Sequence, residues 1–162
     1  MEAKIREALN LNCGGSSEDN LPDKFVVARQ KDKSMSLYKG LILSGIHVDR
    51  FDKGFISCSF TVPRYLTNRD GNFANGAIAN LVDELGSAVL RIYGDEHFNV
   101  SVDMSISLIS TAKLNDELEM ISRVLGQNGR YSGTIVLLRN KKTGDVIAEG
   151  RHSLFGNFIS KI

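Results

Sequence analysis

The sequence has 162 residues, enough for one domain with its own core, of which 42% are hydrophobic and 24% charged. Its 20 basic and 19 acidic residues give a formal net charge of +1, so composition offers no electrostatic reason to expect a nucleic-acid or membrane partner. The sequence contains no run of about 18 apolar residues, so no transmembrane helix is predicted. Residues 1–11 lack the apolar core of a secretory signal.

The N-terminal part of the chain carries weaker structural signals than the rest. Residues 2–10 predict a short amphipathic helix, and residues 13–24 are rich in turn-forming residues, which predicts a linker. Residues 25–44 are compatible with a cover segment or a second helix. We therefore expect an N-terminal helix, linker and cover segment over residues 1–44, followed by one domain over residues 45–162.

Alternation of apolar and polar residues begins near residue 45 and is typical of strands. Residues 46–49 and 56–62 predict the first two strands, and Pro63 ends the second. Four more strands are predicted later in the chain. They cover residues 100–108, 117–125, 131–139 and 146–155, with a hairpin turn over residues 140–145.

The clearest element is a helix over residues 76–92. Its apolar residues recur at positions i, i+3, i+4 and i+7. Asn75 is a suitable N-cap, and Gly94 lies just past the predicted end. Two strands, one long helix and four strands predict an α+β fold, in which an antiparallel sheet of about six strands wraps around the central helix and buries its apolar stripe.

Asp83 lies nearly opposite the apolar stripe when residues are placed about 100° apart around this helix. A solvated face would normally carry Lys, Glu and Arg there, yet the neighbours are small and mostly uncharged. They are Gly76, Ala79, Gly86, Ser87 and Leu90. Because small residues let a second backbone approach closely, we interpret this side as a protomer interface or a buried ligand channel. The alternative is an exposed Asp on an ordinary polar face.

A carboxylate in such a crevice can act as a general base on water. The loop of residues 67–76 leads into the N-terminus of the same helix. Free backbone N–H groups and the positive end of the helix dipole favour a developing oxyanion at that place. One helix therefore carries a candidate base and a candidate holder of the electrophile.

Three motifs in this domain resemble those of PaaI-type hotdog thioesterases, in particular the acyl-coenzyme A thioesterase 13 group. The family's loop and helix pattern, T-N-x-x-G-x-x-H-G-G followed by L-V-D, is similar to LTNRDGNFANGAIANLVDELGSAVL here. Its V-S-V-D-M strand and S-P-A-K-L turn are similar to VSVDMSISLISTAKLND, and its closing strand is similar to GDVIAEGRHSLF. The likeness covers about residues 45–155.

The resemblance implies a hotdog fold and hydrolysis of acyl-CoA thioesters, and it assigns roles to four residues. Asp83 would activate the attacking water, and Ser101 would help to hold it. Asn68 would contact the thioester carbonyl, and the backbone N–H of Asn75 would be the oxyanion donor. The resemblance also implies a homodimer, usually a dimer of dimers, with each site shared between protomers.

The chain departs from the family pattern at H-G-G, which reads Ala74-Asn75-Gly76 here. A backbone donor survives a change of side chain, so this departure bears on rate and substrate choice more than on reaction type. Thr111 likewise replaces the proline of S-P-A-K-L.

For the CoA moiety, the resemblance points to Arg64, to residues 108–113 and to the turn of residues 126–131. Cations offset the charge of nucleotide phosphates, although each basic residue can equally be an ordinary solvated surface charge. The candidate substrate-binding residues are Gly76, Arg64, Lys113, Asn128, Arg130 and Tyr131.

Candidates for other kinds of chemistry are weaker. The three histidines are widely spread without metal-ligand spacing, so no metal or cofactor is expected. His152 lies on a predicted strand and is interpreted as structural rather than catalytic. Ser101 is not part of a G-x-S-x-G elbow. Cys58 is expected in the core, and it and Cys13 are expected to be free thiols.

The leading hypothesis is hydrolysis of a fatty-acyl or aryl-acyl CoA to the free acid and CoA, with Asp83 activating water. A non-catalytic acyl-CoA binding or sensing module is one alternative, which the change at residues 74–75 motivates. A hotdog acyl-thioester hydratase or dehydratase is another, but that chemistry usually wants a His beside the carboxylate, and none is near Asp83 in sequence. The ending Ser160-Lys161-Ile162 is similar to the peroxisomal address S-K-L, so a peroxisomal or cytoplasmic location is expected.

Overall fold

A computed structural model describes residues 37–94 and 98–157 of the chain. The chain divides into two units, residues 1–44 and residues 45–162. In the first unit only helix α1, Leu37–Leu43, is described, so the helix predicted over residues 2–10 and the linker after it lie outside the described residues. The C-terminal tripeptide also lies outside them, and the peroxisomal location stays a prediction.

The described residues of the second unit form six strands and one long helix. The six strands form one antiparallel sheet in the order β1-β2-β4-β5-β6-β3, which confirms the predicted α+β class. The elements are β1 (His47–Asp52), β2 (Phe55–Thr61), a 3-10 turn (Arg64–Leu66), α2 (Asn75–Tyr93), β3 (Phe98–Leu108), β4 (Glu117–Asn128), β5 (Tyr131–Asn140) and β6 (Val146–Asn157).

The sheet buries one face against α2, which contacts β2, β3, β4, β5 and β6. In β5 every second residue from Ser132 to Asn140 is buried, because successive side chains of a strand point to opposite faces. Apolar side chains on the helix-facing side of the sheet form most of the core. They include Ile56, Phe60, Leu118, Met120, Val136, Leu138 and Leu154, each stabilising the fold by about 1.5–3 kcal/mol.

Helix α2 confirms the predicted helix and its C-terminus, with one correction at its start. Gly94 adopts a left-handed conformation with φ 106° and donates its N–H to the carbonyls of Leu90 and Arg91. The N-cap is Ala74 rather than the predicted Asn75, and it provides no side-chain cap. Asn75 is the first helical residue, because the loop before it reaches the extended conformation of an N-cap one residue earlier.

The assignment of Gly86 and Leu90 to a protomer interface or a ligand channel is wrong, since both are buried within the chain itself. A Cβ on Gly86 would lie 2.7 Å from Nδ1 of His152 and 2.8 Å from Oγ1 of Thr134. The sheet wraps further around α2 than the helical wheel indicated. Glycine at position 86 therefore serves the close approach of β5 and β6 to the helix.

A second close approach fixes α2 against β6. A Cβ on Gly150 would lie 2.3 Å from Cγ1 of Val82, so the valine fills the space that a side chain at position 150 would need. This contact fixes the position of α2 relative to β6 at the residue that precedes Asp83.

Candidate active site

Asp83 lies in the middle of α2 and keeps access to solvent, with 38% of its side chain exposed. The residue before it, Val82, is fully buried. The hydroxyl of Ser101 on β3 donates a hydrogen bond of 2.8 Å to Oδ1 of Asp83. Two residues that sequence reasoning assigned to the water-activating step therefore lie in direct contact.

A bulge in β3 is the reason that Ser101 reaches the helix. Ser101 pairs with Leu154 on β6 and Met104 pairs with His152, with a register shift between them. Leu154 and His152 both face the helix, so Ser101 and Met104 do as well. Strict alternation would have put Ser101 on the opposite side. The extra residue of the bulge, at or beside Val102, turns the hydroxyl toward the carboxylate.

His152 also lies beside this carboxylate, which sequence reasoning missed. Its Nε2 is 3.3 Å from Oδ1 of Asp83, and its side chain is fully buried. The pKa of His152 is lowered from its usual 6.5, because burial disfavours the imidazolium more than the negative charges of Asp83 and Asp103 favour it. The ring is therefore neutral at neutral pH. The alternation of residues along β6 predicts that the His152 side chain faces inward. It does not predict which turn of the helix lies opposite that side chain.

The loop before α2 holds Asn68 through its own side chain. Oδ1 of Asn68 accepts hydrogen bonds from the backbone N–H groups of Asp70 and Asn72, both at 3.0 Å, and its backbone N–H donates to the carbonyl of Asn72 at 2.8 Å. Gly71 permits this turn with φ 76°. The carbonyl oxygen of the side chain is thus occupied by the loop. Its amide nitrogen remains as the group that can donate to a ligand carbonyl.

The same loop is fastened to the segment between β3 and β4. The N–H of Phe73 donates to the carbonyl of Ala112 at 2.7 Å, and the N–H of Leu114 donates to the carbonyl of Gly71 at 3.0 Å. Lys113 forms a bridge with Asn72 and its side chain is exposed. The candidate phosphate-binding lysine therefore lies at the base of the loop that carries Asn68.

The first turn of α2 presents backbone donors to the outside. The N–H of Ala74 donates to Leu66 and that of Ala77 donates to Ala74, whereas the N–H groups of Asn75 and Gly76 belong to the first turn, which has no acceptor within the helix. Asn75 and Gly76 are both exposed, and nothing lies within 4 Å of a Cβ built on Gly76. The side chain of Asn75 therefore does not block access to the helix start in one protomer.

The other candidate CoA-binding residues lie on separate elements. Arg64 is exposed in the 3-10 turn, and Asn128 is exposed at the end of β4. Nε of Arg130 donates to the carbonyl of Gly156 at 2.7 Å, and its guanidinium lies 4.6 Å from the ring centroid of Phe155. Tyr131 meets the same ring edge-on, with 57% of its own surface exposed. The described contacts of this hairpin thus tie it to the end of β6.

Other kinds of site find no support in the part of the chain that the structure describes. Within it, no group of three or more His, Cys, Asp or Glu residues could hold a metal ion. Neither described helix is both long and apolar enough to span a membrane. Cys58 is buried, and burial raises the pKa of its thiol to about 12, which keeps it protonated and a poor nucleophile.

Comparison with known proteins gives a family model, similar sequences and similar solved structures. The family model described as Thioesterase superfamily matches residues 70–147. Acyl-coenzyme A thioesterase 13 of Homo sapiens is 37% identical over 100 residues, which cover 62% of this chain and 71% of that protein. The crystal structure of zebra fish thioesterase superfamily member 2 superposes with a TM-score of 0.72 at 28% identity, covering 86% of this chain and all of that one. Thioesterase superfamily member 2 from Mus musculus superposes with a TM-score of 0.68 at 26% identity, covering 85% of this chain and 98% of that one.

Proposed function

Because the chain belongs to the thioesterase superfamily, we propose that the site around Asp83 hydrolyses an acyl-CoA thioester to the free acid and CoA. The likeness to acyl-coenzyme A thioesterase 13 supports this substrate class, and the superposition with thioesterase superfamily member 2 confirms the predicted hotdog fold. The observation that carries the proposal is the contact of 2.8 Å between Ser101 and Asp83.

The proposed reaction needs a base, a held water and an oxyanion site. Asp83 removes a proton from water, and the resulting hydroxide attacks the thioester carbon. The amide nitrogen of Asn68 and the N–H of Asn75 stabilise the tetrahedral oxyanion. Collapse of the intermediate breaks the carbon–sulfur bond, releases the carboxylic acid and returns the proton to the CoA thiolate.

One protomer alone does not bring these groups to a single carbonyl. Asp83 follows Asn75 by eight residues along α2, and a rise of 1.5 Å per residue separates them by about 12 Å. A carbonyl carbon near the Asp83 water therefore lies beyond hydrogen-bonding distance of the Asn75 N–H of the same helix. We propose that each site combines Asp83 and Ser101 of one protomer with the loop and helix start of a second.

The edge strand β3 supplies a surface for this second copy. It forms one end of the sheet order and carries exposed apolar side chains along its length, at Val100, Val102, Met104 and Leu108. Among the described strands β3 has a neighbour on one side only, and such a long apolar edge is a template for another strand. We propose a homodimer that pairs β3 with β3, further associated as a dimer of dimers.

The proposed CoA-binding groups follow from their positions around the loop and the hairpin. Arg64, Lys113 and the N–H of Gly76 lie on or beside the elements that hold Asn68. In the hairpin, the exposed ring of Tyr131 and the side chain of Asn128 are open to a ligand, while Nε of Arg130 already donates to Gly156. This distribution favours phosphate contacts near Lys113.

A hydratase or dehydratase is the second candidate, and the position of His152 next to Asp83 favours it. The full burial of that imidazole argues against it, because a general acid must come within hydrogen-bonding distance of the substrate. A non-catalytic binding module would share the exposed loop, but it gives no reason for a bulge that directs Ser101 onto Asp83.

The test is thiol release from a panel of fatty-acyl and aryl-acyl CoAs. We expect turnover by the wild type and a loss of kcat of about 100-fold or more in Asp83→Asn. Glu84→Gln on the same helix is the charge-matched control that keeps its rate. Near-normal turnover in Asp83→Asn would remove this residue from the mechanism. Binding of an acyl-CoA without thiol release by the wild type would establish the binding module instead.

Mixed dimers test the shared site. Asp83→Asn and Asn68→Asp protomers, coexpressed, place both defects in one site of a heterodimer and leave the other site intact, so random mixing restores about a quarter of wild-type activity. Sites confined to one protomer would show no recovery on mixing.

A further inference from the structure

The buried imidazole of His152 is a costly feature that the proposed reaction has not yet used. Both ring nitrogens are buried, and neither has a hydrogen-bond partner within the described ranges. A leucine at this position of the sheet would fill the space without unpaired polar atoms. The polar atoms of His152 therefore need an explanation other than packing. Its Nε2 lies 3.3 Å from a charged group, Oδ1 of Asp83.

The helix leaves room for this ring. A Cβ on Gly86 would lie 2.7 Å from Nδ1 of His152, so α2 accommodates the imidazole only because residue 86 has no side chain. Interior glycine weakens a helix, and alanine would have been the more stable choice for the helix alone. The position of the imidazole therefore depends both on β6, which carries His152, and on α2, which carries Gly86.

The groups that face His152 favour a neutral ring with one donor. Asp83 faces it from α2 and Asp103 acts on it from β3. Ser101 on β3 and Thr134 on β5 are uncharged. Burial outweighs the two carboxylates and keeps the pKa of the ring lowered. A neutral imidazole carries one N–H, and in the tautomer protonated at Nε2 that proton lies on the nitrogen 3.3 Å from Oδ1 of Asp83.

We propose that His152 is a positioning residue that holds the Asp83 carboxylate in one rotamer, an inference that rests on the proposed role of Asp83. Ser101 and His152 both approach the same oxygen, Oδ1. The hydroxyl of Ser101 donates to Oδ1, and a small turn of the His152 ring would bring an Nε2 proton onto the same oxygen. Together the two groups would fix the plane of the carboxylate and leave Oδ2 for the attacking water. His152 does not touch the substrate and transfers no proton.

The test compares His152→Leu, which removes the donor, with His152→Gln, which keeps an amide N–H near the position of Nε2. We expect His152→Leu to lower kcat about 10-fold with little change in KM, because the carboxylate is less well positioned while substrate binding is retained. His152→Gln restores most of the rate. Val136→Ala, at a buried site on β5, is the control that loses stability but keeps kcat.

A double-mutant cycle separates this inference from the proposed function. If His152 acts through Asp83, His152→Leu changes the residual rate of Asp83→Asn less than about twofold. Equal losses in both backgrounds, or a failure of His152→Gln to recover the rate, would show that the imidazole is merely structural. Near-normal turnover in Asp83→Asn alone would instead refute the base assignment, whatever the His152 variants do.

Discussion

The middle and the start of helix α2 hold their functional groups by different means. In the middle, Asp83 meets side chains from β3 and β6, one of them fully buried. At the start, Asn68 and Asn75 are exposed, and backbone hydrogen bonds within the loop and to residues 112–114 hold them in place. Asp83 is therefore held by side chains from the sheet of its own protomer, whereas the loop and the helix start are held by backbone hydrogen bonds and remain exposed.

Substitution of Asn68 by Asp tests the open side most directly. Asp keeps an acceptor for the N–H groups of Asp70 and Asn72 but has no amide donor, so the loop persists while the contact with the carbonyl is lost. We expect kcat/KM to fall about 100-fold, with the melting temperature unchanged. Asn68→Ala, which also loses the turn, should lower the melting temperature as well. A normal rate in Asn68→Asp would show that the amide donor is not used.

Gly86→Ala tests how tightly the middle of the helix is packed. The new Cβ would lie within 2.8 Å of both His152 and Thr134, so we expect a loss of about 1–3 kcal/mol of unfolding free energy from overpacking. Gly76→Ala is the matched control, because nothing lies within 4 Å of its Cβ. Chemical denaturation measures both, and equal stabilities would contradict the close approach.

Ser101→Ala removes one of the two groups on Oδ1 of Asp83. We expect kcat to fall about 10-fold, less than for Asp83→Asn, because His152 still borders the carboxylate. Steady-state kinetics with one acyl-CoA check this order. A Ser101→Ala variant as slow as Asp83→Asn would mean that the hydroxyl, rather than the carboxylate, dominates the step.

The smallest expected effect is on the pH dependence of stability. The pKa of His152 is lowered in the folded protein below its usual 6.5, so below that pH the unfolded chain binds a proton that the folded chain resists. The contribution of this residue is therefore full above pH 6.5 and is lost as the pH falls toward the lowered pKa. Urea unfolding should show a steeper loss toward acid in the wild type than in His152→Gln. Parallel curves would contradict this.

Local periodicity was enough to predict most of the fold. The 3.6-residue pattern of α2 and the alternation of the strands both arise from burial of one face. Such patterns can be recognised from residues that are close together in the sequence. The same pattern isolated Asp83, and the resemblance named Ser101 as its partner. These assignments required no knowledge of which strand lies next to which.

The features that sequence reasoning missed all depend on contacts distant in the chain. The bulge near Val102 breaks the alternation that the apolar residues of β3 suggest, and only pairing with β6 reveals it. The place of His152 next to Asp83 depends on the register between a helix and a strand 69 positions later. Gly86 was assigned to a protomer interface or a ligand channel because one helical wheel does not show how far a sheet wraps.

The contact of Gly150 with Val82 makes the side-chain size allowed at one position depend on the residue at the other. Any side chain at position 150 would collide with the valine, so a larger residue in the strand is tolerated only with a smaller one in the helix. Such a paired exchange shifts the backbone that carries Asp83 relative to His152. Substitutions of two core residues that lie outside the candidate site can thus alter the contact between Asp83 and His152.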